Sequence, residues 1–76
     1  MKTYDEFVED VYAKVAKCPE RWRKGQSVFN VIDKFYGVAR TVQFVDGVDC
    51  FYVDEYIPQF LQCAYNRLKE LESCES

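Results

Sequence analysis

The sequence predicts an all-α fold: a compact bundle of three main helices, at about residues 4–17, 26–36 and 55–72, plus a short helix or a hairpin within 38–53. Three observations predict it. A capping box opens an amphipathic stretch at Thr3, a second apolar stripe closes on Gly37, and a long stripe runs on from Ile57. Apolar residues recurring every three to four positions mark one face of a helix.

The first helix starts at Thr3 and Glu6, whose side chains can each satisfy a free backbone N–H of the first turn. Tyr4, Phe7, Val8, Val11, Tyr12 and Val15 form its stripe. Acidic residues at the start and Lys14 and Lys17 at the end match the helix dipole. Pro19 biases Cys18 out of helical geometry, so the helix stops by about Lys17. The basic connector that follows allows a single turn from Pro19, with Trp22 as a half-buried lid and the arginines outward.

The second helix carries Val28, Phe29, Ile32, Phe35 and Tyr36 on one face, beside a polar stripe of Arg23, Gln26, Asn30 and Asp33 or Lys34. Gly37 fits a C-terminal cap.

Residues 38–53 allow two readings. Val45-Asp46-Gly47-Val48 has a hairpin turn sequence with strand-like flanks. Pairing across it, however, sets Phe44 against Asp49 and Arg40 against Val53, so neither face is cleanly apolar, and a lone hairpin is marginal. The alternative places Val38, Ala39, Val42 and Val45 on one side of a short helix, followed by a loop. The helix is preferred. The last helix is expected to begin with Asp54 as N-cap, to tolerate Pro58 in its first turn, and to present Ile57, Phe60, Leu61, Ala64, Tyr65, Leu68 and Leu71.

A chain of 76 residues makes one domain, 1–76, and its thirteen aromatic residues give it the means to bury a core. The net charge is −3, but residues 18–43 hold five cations and two anions while residues 44–76 hold two cations and seven anions. Such a balance does not favour non-specific nucleic-acid binding. Cysteines stand at 18, 50, 63 and 74 with no C-x-x-C pair and no histidine, so small core thiols are a better reading than a zinc site. Asp46, Asp49, Asp54 and Glu55 lack the spacing of a calcium loop. No metal or cofactor is expected. The opening Met1-Lys2-Thr3-Tyr4-Asp5-Glu6 has no apolar run of a secretory signal, and no segment is long and apolar enough to span a membrane. The expectation is a soluble, cytoplasmic protein with reduced cysteines.

Without histidine the usual general base near neutral pH is missing, and Ser27 has no visible base beside it. The protein is therefore expected not to be an enzyme. Two stretches mix polar and aromatic residues beyond what a core demands: Arg23-Lys24-Gly25-Gln26-Ser27-Val28-Phe29-Asn30 and Asp49-Cys50-Phe51-Tyr52-Val53-Asp54. Together they resemble a family of short, uncharacterised proteins encoded by bacteria, their phages and mobile elements, with the pattern R-x-G-Q-x-x-F-N followed some twenty residues later by D-x-F-Y-x-D. The resemblance covers about residues 21–62. It implies a small helical protein, supports a helix near 38–45, and implies no particular chemistry. Cys50 stands where many such sequences carry proline, so a rigid turn at that point is not carried over.

Arg23, Gln26, Asn30, Asp49, Phe51 and Tyr52 are thus either an interaction site or a structural latch. In the latch reading, which is preferred, Gly25 permits a tight entry while Gln26 and Asn30 hydrogen-bond the 49–54 backbone, because buried loop backbone must find partners. Arg21, Trp22, Arg23 and Lys24 form the candidate nucleic-acid surface, cations beside an aromatic ring that can stack; the competing reading pairs their charges with the acidic C-terminal third. The leading functional expectation is a module that binds another protein through exposed tyrosine and phenylalanine side chains. A nucleic-acid-binding module using residues 21–24 is the alternative.

Overall fold

Four helices carry the chain in a computed structural model that describes residues 2–75, with side chains described as far as residue 72. They are α1 (Tyr4–Val15), α2 (Lys24–Phe35), α3 (Ala39–Thr41, continuing as a π-helical turn over Val42–Asp46) and α4 (Ile57–Glu75), the last preceded by a 3-10 turn at Asp54–Tyr56. No strand occurs among the described residues. The Cα radius of gyration is 11.8 Å, close to the ~11 Å of a compact chain of this length. No described helix is long and apolar enough to cross a membrane.

The capping box at the head of α1 is complete. Glu6 N–H donates to Thr3 Oγ1 at 3.2 Å, and Thr3 N–H donates to Glu6 Oε1 at 2.9 Å. The helix proper ends two residues before the expected Lys17, and single i→i+3 bonds at Lys17 and Cys18 then tighten the exit into Pro19. Pro19 does open a turn, with Trp22 N–H bonded to its carbonyl.

At the centre lies α2, with Ser27, Val28, Phe29, Val31 and Ile32 all buried. The expected face needs one correction. Phe35 is exposed, and Val31 takes the core place on its side. A helix enclosed by three others buries a wider arc than a two-turn stripe anticipates. Phe7 and Val11 of α1, Val38 at the head of α3, Ala39 and Val42 within it, Cys50, and Ile57, Phe60, Leu61 and Ala64 of α4 close the core around it.

Residues 39–46 are helical, so the hairpin is excluded. Gly47 adopts φ 72° and caps the turn, its N–H bonding Val42 O across five residues. A hairpin turn of type I′ also needs Asp46 at positive φ, and among the described residues only glycines have one. The π-helical turn corrects the position of Val45. A π-turn rotates less per residue than an α-turn, so Val45 leaves the line of Val38 and Val42 and is exposed.

Asp54 is not the cap of α4. The 3-10 turn begins after Val53 without a side-chain cap, and the Asp54 carboxylate is engaged elsewhere.

Candidate functional site

The two polar–aromatic stretches meet. Arg23, the N-cap residue of α2, makes no side-chain cap of its own. Instead Gly25 N–H, one of the orphan donors of that helix end, donates to Asp54 Oδ1 at 3.0 Å. Arg23 Nη1 donates to the Tyr52 carbonyl at 2.9 Å, and Cys50 Sγ donates to the Gly25 carbonyl at 3.4 Å. Within the loop, Asp49 receives Phe51 N–H at 2.8 Å on one oxygen and Gln43 Nε2 at 2.8 Å on the other. Phe51 packs edge-on against Phe29 with centroids 5.5 Å apart, and Tyr52 continues the row outward onto Phe51 at 4.7 Å.

Gly25 explains the approach. A Cβ there would lie 1.9 Å from Cys50 O and 2.9 Å from Asp54 Oδ1. Only a residue without a side chain lets the loop backbone rest on the first turn of α2. Cys50, fully buried in this contact, has its thiol pushed up to about 12 by burial and then by the neighbouring Asp49 charge. It stays protonated and is poorly nucleophilic.

Arg23, Asp49, Phe51 and Tyr52 therefore belong to one junction, but Gln26 and Asn30 do not. Neither side chain hydrogen-bonds the 49–54 backbone among the described residues, which corrects their expected role. The loop bonds to Arg23, to the peptide groups of Gly25 and to its own Asp49, and leaves no role for the two amides. Asn30 instead faces the outer side of α2.

There the second surface lies. The ends of α1 and α2 leave a groove of about 640 Å³ lined by Asp10, Lys14, Lys17, Cys18, Pro19, Trp22, Asn30, Val31, Lys34 and Phe35, among others. Lys14 and Lys34 place their ammonium groups 5.1 and 5.5 Å from the Phe35 ring centroid. Asp10 accepts Lys14 Nζ at 2.7 Å and also the Tyr36 hydroxyl, and these two contacts hold its carboxyl below the usual range.

The basic turn at 21–24 is divided by α1. Trp22 lines the groove beside Lys14 and Lys17, whereas Lys24 lies 5.2 Å from the ring of Tyr12. Tyr12 and Lys14 project about 200° apart around an α-helix, on opposite flanks. Arg21 is exposed, and Arg23 is committed to Tyr52. Among the described residues none of the four makes an ion pair with the acidic C-terminal third; that third supplies Arg67 as well as its partner Glu70, and Arg67 also bridges to Asp46 at 2.8 Å.

Cys18, Cys50 and Cys63 are free thiols in separate places, and the Cys74 side chain lies outside those described. Among the described residues no three of Asp, Glu, Cys or His gather as metal ligands.

Lys14, Lys17, Lys34 and Phe35 were not legible as a group, because two helices must pack before they share a wall. Lys14 and Lys17 read as dipole partners, and Phe35 as core. No family model matches the chain, and no curated protein or solved structure matches it either.

Proposed function

We propose that the protein is a non-catalytic module that binds another protein through residues 44–56, acting in the cytoplasm. One observation carries the reading. Phe44 is 78% exposed, Tyr52 71%, Val45 66%, Tyr56 47% and Val53 40%, so most of the large apolar side chains left in solvent belong to this one segment. Aromatic side chains are enriched at binding surfaces. The segment is also held from beneath, by Asp54 and Tyr52 on α2 and by Asp46 on Arg67 of α4. A surface fixed before binding loses less entropy on association. The Arg23–Tyr52 and Gly25–Asp54 contacts then serve as the scaffold of the site, and Tyr52 is its outer member.

The experiment is affinity capture from cells that encode the protein, comparing wild type with Phe44→Ser/Tyr52→Ser. Both positions are solvent-facing, so the double variant is expected to melt with the wild type. A partner retained by wild type and lost with the variant supports the reading; identical capture by both, or none by either, overturns it.

A further inference from the structure

We propose that the groove between the C-terminal ends of α1 and α2 is a second docking site, and that it takes an acidic polypeptide segment carrying one bulky apolar side chain. The inference goes beyond the 44–56 surface, since none of the groove's walls comes from that segment. Its floor is apolar, built by Trp22, Val31 and Phe35, and its volume of about 640 Å³ falls within the ~300–1,000 Å³ of sites that enclose a ligand. Lysines stand on both walls, Lys14 from α1 and Lys17 from the turn that follows it on one side, and Lys34 from α2 on the other.

Charge complementarity selects the occupant. The chain carries −3 overall, yet this groove has three cations against a single anion, Asp10. Lys14 is paired with Asp10, whereas Lys17 and Lys34 are in no ion pair among the described residues. A segment lying along the groove would set carboxylates against Lys17 and Lys34 and lower its apolar side chain between Trp22 and Phe35. This is the helix-in-groove mode of peptide recognition with a charged rim. A nucleic acid fits less well. Its phosphates need a continuous cationic track, and Arg23 and Lys24, which would extend one, are bound to Tyr52 and turned to Tyr12.

The test is NMR titration of the isotopically labelled full chain, followed at the Trp22 indole N–H and the Lys17, Val31 and Phe35 amides. The probes are a synthetic Glu/Asp-rich peptide with one central Trp, the same peptide with that Trp replaced by Ser, and oligothymidylate. The first is expected to shift these resonances saturably, and the second is expected to bind far more weakly. Lys17→Glu/Lys34→Glu should weaken the first peptide about tenfold or more. Both lysines are exposed or at the rim, and an unchanged circular dichroism spectrum would verify the fold. Absence of a saturable shift, indifference to the charge reversal, or stronger binding of oligothymidylate at the same resonances would each overturn the proposal. Phe44→Ser/Tyr52→Ser should bind the acidic peptide as wild type does, so the two surfaces can fail separately.

Discussion

At Gly25 a single methyl group sets two effects against each other. Alanine would raise the intrinsic helix propensity of α2 by ~1 kcal/mol. Its Cβ, however, would lie 1.9 Å from the Cys50 carbonyl, so the loop must be displaced. Overpacking of this kind costs roughly 1–3 kcal/mol, and the Asp54 cap would be lost with it. Gly25→Ala is therefore expected to destabilise the protein by about 2 kcal/mol or more in urea unfolding; a variant as stable as wild type would show that the loop does not rest on α2. Asp54 makes a second, separable contribution. Removing an N-cap acceptor costs ~1 kcal/mol, whereas asparagine replaces it within a few tenths. Asp54→Ala should accordingly lose about 1 kcal/mol and Asp54→Asn very little. Hydrogen exchange would locate the effect: the Gly25 amide should exchange faster while the first turn of α4 is unchanged, the reverse of what a local cap predicts.

Elements differ in how far their own residues specify them. The head of α1 was fully legible, because a capping box involves only side chains three positions apart. The ambiguity at Asp46-Gly47 has an equally local cause. Hairpin turns and helix C-caps both need glycine at positive φ, so the dipeptide alone does not separate them. Burial of Val38, Ala39 and Val42 against α2 decides for the helix. At Gly47 (φ 72°) an added Cβ would meet no atom within 4 Å, so a substitution there is penalised by backbone conformation alone. Gly47→Ala should cost about 1 kcal/mol, with asparagine less costly because it tolerates this region. Thermal melts of the two variants would check the order, and equal stability of all three proteins would contradict a left-handed cap. Asp54 was misread for the opposite reason. Its position before a helix is local, but its hydrogen bond goes to a residue 29 positions away.

Over the whole molecule, acid stability should carry the mark of Asp10. This carboxylate joins α1 to the end of α2 by accepting the Tyr36 hydroxyl, and it also takes Lys14 Nζ and lies 3.8 Å from Lys2 Nζ. Its pKa is lowered, mainly by the Lys14 hydrogen bond and then by Tyr36, with burial opposing. A folded pKa below the unfolded one means that the unfolded chain binds the proton more tightly. The stabilisation is thus complete above about pH 4 and is lost as the pH falls through the folded value beneath it. Glu6 shifts in the same direction through its bonds to Thr3. Asp10→Asn should flatten the acid limb of the stability curve while leaving its shape near neutrality unchanged. Urea midpoints across the acid range would measure it, and parallel limbs for the two proteins would remove Asp10 from the account.

The residues by themselves determined the helical class and the extents of α1, α2 and α4 to within a few positions, because periodicity, caps and breakers act over a few positions; the 23–30 and 49–54 stretches could be read only as either a site or a latch between them. Tertiary structure alone decided which atoms join those stretches: peptide groups and a distant carboxylate rather than Gln26 and Asn30. It also turned Phe35 and Val45 into solvent, sent Trp22 and Lys24 to opposite flanks of α1, and brought Lys14, Lys17 and Lys34 around one groove. Val45 owes its exposure to the π-helical turn, and the rest depend on the packing angle between helices, which no single helix encodes in its own spacing.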